Sequence, residues 1–199
     1  LHLKPVQLFG VAALAFLSGC AALGGGTPKL DTYELSAPTV AEGGRRAGLQ
    51  VLIAQPTALK ALDGQNIVIK PAPGVIQYLK GAQWADRLPE VVQARLAETF
   101  QKSGRFGGVG MPGEGLAIDY QVIVDIRTFE VRVDRGDQAE IELYVRVLND
   151  RNGTVKASRT FEATAPVSGG EGNDAYVNAL DAAFGEAAAA IVKWSASVM

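Results

Sequence analysis

Between Ile118 and Pro166 the chain alternates apolar and polar residues with a period of two, which reads as a set of long β-strands. In "IDYQVIVDI", Ile118, Tyr120, Val122, Val124 and Ile126 share one face, opposite Asp119, Gln121 and Asp125. After Arg127 and Thr128 the apolar phase moves to Phe129, Val131 and Val133. A slip of one residue turns every side chain over, so a bulge or sharp twist is expected there. "EIELYVRVL" repeats the pattern, with Ile141, Leu143, Val145 and Val147 inward and Glu140, Glu142 and Arg146 outward. "NDRNG", Asn149 to Gly153, is a hairpin-turn signal, and "TVKASRTFEATAP" returns as the next strand. Such a meander has one polar face, and its other face needs a cover.

The C-terminal segment supplies that cover. Tyr176, Leu180, Phe184, Ala187, Ile191 and Trp194 recur at helical spacing, with Asn173 or Asp174 as the cap. The run Ala187–Ala190 allows a close approach to a sheet. A second helix is expected after Asp86, an N-cap, with Pro89 near its start and Gly104 at its end. Its apolar face is Leu88, Val91, Val92, Leu96, Thr99 and Phe100. Upstream, "TYELS" before Pro38, "LQVLIA" (Leu49 to Ala54), "QNIVIK" before Pro71 and the start of "VIQYLKGAQW" read as strands, with a polar loop from Val40 to Ala47. With 199 residues, 48% of them hydrophobic, one core is expected. The fold class is therefore α+β: a single layered domain, its mixed or antiparallel sheet ending in a β-meander covered by two main helices.

The residues available for chemistry are few. The only histidine is His2 and the only cysteine is Cys20. A chain that loses its leader and modifies Cys20 has no imidazole and no thiol, which excludes Ser-His-Asp, Cys-His and Cys/His zinc chemistry. No cofactor, metal site or catalytic residue is expected, and the chain reads as a non-enzyme. Net charge is −2 and Lys and Arg are scattered, so neither a nucleic-acid partner nor a polybasic membrane patch is expected. The glycine-rich run Gly107 to Gly115 is followed by Leu116-Ala117 rather than Lys-Ser or Lys-Thr, so it reads as a flexible connection, not a P-loop. Asp119 and Asp125 share a strand face but lie ~20 Å apart along it, beyond the reach of a paired-carboxylate mechanism.

The leader is itself informative. Lys4 precedes the apolar run "LFGVAALAFL", Leu8 to Leu17, which is too short for a bilayer span of about 20 residues and suits a signal peptide. Leu17, Ser18, Gly19 and Cys20 follow in the order of a bacterial lipobox, so Cys20 is expected to be lipidated and Leu17, Ser18 and Gly19 to be read by the signal peptidase. The expected organisation is a signal peptide at 1–19, a lipidated Cys20 and flexible tether at 20–31, and a periplasmic domain at 32–199. Ala21 after the cysteine favours the outer membrane, with inner-membrane retention as the alternative.

Taken in order, these features resemble the ABC-type transport auxiliary lipoproteins. The resemblance rests on the lipobox, Tyr33-Glu34-Leu35 before Pro38, the Tyr78-Leu79 pair leading to Trp84-Ala85, and a late meander ending in a helix with Ala183-Phe184. It implies partnership rather than catalysis: an accessory lipoprotein docking an MCE-domain periplasmic protein and its transporter, which move lipids or other hydrophobic molecules. Such assemblies are ring-like, which extends the expectation to a homo-oligomer. Tyr33, Tyr78 and Trp84 are the candidate partner contacts, because large amphipathic aromatics are favoured at interfaces. The competing reading of each is a core residue. The alternative function is a structural or assembly lipoprotein of another envelope machine.

Overall fold

The computed structural model describes residues 30–41, 43–134, 136–169 and 172–199. A short β1 (Asp31–Tyr33) leads through a loop to β2 (Arg46–Ile53) and β3 (Thr57–Ala58). The hairpin β4 (Asn66–Ala72) and β5 (Val75–Trp84) precedes helix α1 (Leu88–Lys102) and β6 (Phe106–Gly110). Then come the meander β7 (Tyr120–Arg132), β8 (Gln138–Asn149) and β9 (Thr154–Pro166), and the long helix α2 (Asn173–Val198).

All strands join one nine-stranded sheet centred on β7. One edge of β7 pairs antiparallel with β8 from Tyr120↔Asn149 to Arg132↔Gln138. Its other edge is divided among three parallel strands: β2 at Val51–Ile53, β3 at Thr57–Ala58 and β4 at Val68–Lys70. The sheet therefore forks, one branch continuing through β2 to β6 and the other through β4 and β5 to β1. The result is an open mixed sheet with both helices, an α+β domain.

The expected phase change is present as a register shift between Ile126 and Thr128 of β7. It turns Phe129 inward, where its ring meets Trp84 edge-on at 5.8 Å and Phe184 of α2 at 6.3 Å. Leu180, Ala183, Phe184, Ala188 and Ile191 on α2 are all fully buried. By length and composition alone α2 could cross a membrane. Its apolar stripe is instead spent on β7, β8 and β9.

Three local expectations are corrected. The N-cap of α1 is Arg87, with no side-chain cap; Asp86 lies one residue earlier and accepts the Arg87 N–H at 2.7 Å. The N-cap of α2 is Gly172, at φ 63°, because Asn173 and Asp174 are engaged elsewhere. The first part of the glycine-rich run is strand β6 rather than a flexible connection. A bulge in β2 between Arg46 and Gln50 crowds the Ala47 carbonyl against Gly107, where any Cβ would collide. Glycine is needed there for close approach, which composition alone reads as a loop.

Candidate partner-binding edge

The β4–β5 hairpin turns at Pro73-Gly74, with Gly74 at φ 75°. Along β5 the register jumps from Asn66↔Gln83 to Val68↔Tyr78, with Gly81 at φ 80° inside the bulge. Only glycine enters that region without strain. The bulge changes which face each side chain meets: Leu79, Ala82 and Trp84 all point into the core, and Tyr78 points out. Asn173 Nδ2 donates to the Lys80 carbonyl at 3.1 Å, closing the bulge from the side of α2.

β1 covers the outer edge of β5 only at Ala82–Trp84. Among the described residues no strand pairs with that edge from Val75 to Leu79. Val75, Ile76 and Tyr78 are 42, 46 and 48% exposed there. Unpaired strand edges offer backbone donors and acceptors to an added strand, and exposed apolar side chains add contact area. An edge of this kind is chemically suited to recognition by strand addition.

Across the outer face, Tyr78, Val68, Glu130, Glu140 and Thr164 lie in one row. Glu130, buried to 5% exposure, meets Lys70 Nζ at 3.1 Å. It stands directly opposite Glu140, an unfavourable like-charge pair that Lys70 and Arg132 offset. In the neighbouring row Glu142 faces Glu162 and takes Arg127 at 3.2 Å. The face beside the edge is thus strongly polar with acidic positions, while the edge itself is apolar.

Of the residues named from sequence, Tyr33 is not beside Tyr78 in this row. Its hydroxyl donates to Asp174 Oδ1 at 2.6 Å, and that bond, chiefly, pushes its pKa up to about 12. The Ser36 N–H donates to Asp181 at 2.6 Å, and Glu34 pairs with Arg95 at 2.7 Å. These contacts latch the segment after the expected tether onto both helices. Trp84 is 1% exposed and is a core residue, because the Gly81 bulge sends it inward onto Phe129. Leu17, Ser18, Gly19 and Cys20 lie outside the described residues. Val75 and Ile76 leave a weaker trace in the sequence, two consecutive apolar residues straight after a Pro-Gly turn.

The two aspartates on β7 and before it are structural. Asp119 accepts the Gln50 N–H at 2.9 Å and the Arg151 guanidinium at 2.6 Å, which together hold its carboxyl below the usual range. Asp125 takes Thr57 at 3.3 Å and Arg127 at 3.8 Å. Among the described residues no group of three or more His, Cys, Asp or Glu could hold a metal ion.

The sequence profile of the ABC-type transport auxiliary lipoprotein component matches residues 33–192, from β1 to the last turns of α2. The chain belongs to this family. The uncharacterized protein bll6063 of Bradyrhizobium diazoefficiens is 33% identical over 177 residues, covering 86% of this chain and 47% of that relative. The auxiliary lipoprotein thus spans about half the length of the curated relative it matches. The crystal structure of protein XCC0632 from Xanthomonas campestris superposes with a TM-score of 0.75 at 25% identity, over 84% of this chain and 95% of that one. The hypothetical protein CT253 of Chlamydia trachomatis shares the fold, with a TM-score of 0.53 at 10% identity over 79% of this chain and 98% of its own.

Proposed function

We propose that this auxiliary lipoprotein is a non-catalytic accessory subunit of an ABC/MCE-type transport system for lipids or other hydrophobic molecules. It is anchored through lipidated Cys20, by preference in the outer membrane, after cleavage behind Leu17, Ser18 and Gly19. Its domain faces the periplasm and docks an MCE-domain protein along the open edge of β5. The family match over residues 33–192 supports the accessory role. The observation that supports docking is the unpaired β5 edge carrying exposed Val75, Ile76 and Tyr78. Self-association through the same edge is the competing use of that surface.

The test replaces Tyr78 with a photo-crosslinking amino acid in the full chain, in its own cells, with Leu59 as the exposed control position. The expected product is an adduct with an MCE-domain protein from position 78 and none from position 59. Adducts with other envelope proteins alone, while the MCE protein is expressed, overturn the transport partner; an adduct with a second copy assigns the edge to self-assembly. Palmitate labelling lost on Cys20→Ser checks the anchor.

A further inference from the structure

Lys60, Lys70, Arg87, Arg95, Lys102, Arg127, Arg132 and Arg151 all reach a carboxylate. Of the other cations among the described residues, Lys80, Arg146, Lys156 and Arg159 are spread along β5, β8 and β9. The remaining four converge. Arg45 and Arg46 at the start of β2, Arg105 in the turn between α1 and β6, and Lys193 on α2 line one cavity of about 370 Å³ together with Ala196 and Ser197. Among the described residues none of the four forms an ion pair, and no carboxylate lines the cavity. Scattered in sequence, they are gathered only by the fold.

Gathering like charges is unfavourable unless something of opposite charge is held there. The end of α2 accounts for part of it: Arg46 Nε donates to the Ala196 carbonyl at 3.3 Å, where the helix dipole is negative. It does not account for the rest. Arg105 is fixed in place, its Nη2 donating to the Ala41 carbonyl at 2.8 Å and its guanidinium lying over Gly43, where a Cβ would collide. Its Nε is buried without a hydrogen-bond partner. Arg45 and Lys193 stand exposed at the rim. Planar guanidinium forks match two oxygens of a phosphate, and an ammonium adds a point charge. The volume suits a phosphate with a small organic group.

We infer that this cavity binds a phosphate group, carried by an anionic phospholipid headgroup or by a soluble phosphate compound. The inference is independent of the partner docked at the β5 edge, which lies on the other branch of the sheet.

The test is calorimetry on the full lipidated chain in a nonionic detergent, titrated separately with inorganic phosphate and with dihexanoyl phosphatidylglycerol. Saturable one-to-one binding, weakening as salt rises, is expected for at least one of them. If the short-chain lipid displaces phosphate, the headgroup is the source; if phosphate binds and the lipid does not, the source is soluble. The double variant Arg45→Glu with Lys193→Glu alters only exposed rim positions, and its affinity should fall at least tenfold with an unchanged melting temperature. Arg105→Lys, which keeps the charge and removes the fork, should weaken binding several-fold. Absence of saturable binding to either probe overturns the inference. So does unchanged affinity in the folded double variant, which reduces the four cations to a helix-end cap.

Discussion

The two edges of β7 are built in opposite ways. On one side a single partner, β8, runs beside it for its full length and β9 continues the meander. On the other side β2, β3 and β4 share the edge end to end, each holding it by two or three residues. The continuous side is made of neighbours in sequence joined by short turns, and it is sealed by α2. The divided side is made of parallel pairs between distant residues, so each joint depends on loops to bring it into place. Its forked geometry also leaves edges, and the open stretch of β5 is one of them. The difference teaches where closure and openness are placed: the meander and α2 form the closed side, and the branches carry the open β5 edge and the cation-lined cavity, the two surfaces proposed above for a partner and a phosphate.

Phe129 joins the two sides, touching Trp84 of one branch and Phe184 on the helix that seals the other. Phe129→Ala should cost about 3–5 kcal/mol by lost burial and the cavity left behind. A urea titration followed by tryptophan fluorescence measures it; a loss under 1 kcal/mol would mean that the sides are held together elsewhere. Gly107→Ala attacks the divided side alone, because the new Cβ meets the bulged Ala47 backbone. The expected loss is about 1–3 kcal/mol, of the kind seen when a packed site is overfilled. Amide exchange should quicken in β2 and β6 before it does in β8 and β9; uniform quickening would erase the distinction between the edges.

That distinction also decides what the sequence disclosed. The alternation from Ile118 to Pro166, the phase change at Arg127-Thr128 and the apolar stripe on α2 are local patterns, and all appear in the fold. The register Val68↔Glu130 and the parallel pairing of β2 with β6 join distant segments and leave no local trace. Asn173 and Asp174 read as caps because their side chains favour helix starts, yet one closes the Lys80 bulge and the other takes Tyr33. For the candidate edge, Tyr78 was named from its chemistry. Trp84, named for the same reason, is turned inward by a backbone irregularity at Gly81 that the strand pattern did not announce. The cluster around Arg105 was invisible for a plainer reason: its members come from three separate stretches of chain.

A smaller effect sharpens the comparison at the latch between β1 and α2. The Tyr33 hydroxyl has its pKa raised to about 12 because its neutral form donates to Asp174. Folding therefore favours protonated Tyr33. Its contribution is complete below the ordinary tyrosine pKa of about 10 and is lost as pH climbs from there through about 12. Tyr33→Phe should accordingly show a shallower decline of stability over that alkaline window than the parent chain. Equal slopes in the two proteins would mean that the latch carries no linkage.

The least destabilising change concerns the open edge. Tyr78 sits on the outer face at 48% exposure, and no hydrogen bond ties its hydroxyl among the described residues. Tyr78→Ser should therefore leave stability within about 0.5 kcal/mol, as for surface positions away from special contacts. Its consequence should appear in association instead, since aromatic anchors carry a disproportionate share of interface energy. Capture of the partner by the full chain, measured in its own membranes, should fall at least tenfold while the melting temperature holds. Val75→Lys, on the same strand, tests the edge rather than the ring, because an exposed edge lysine discourages strand addition. If both variants fold and capture normally, the β5 edge is only the end of a sheet, and docking belongs to another surface of the branches. If Tyr78→Ser alone fails, the contact is made by a side chain; if Val75→Lys fails as well, the partner is added as a strand.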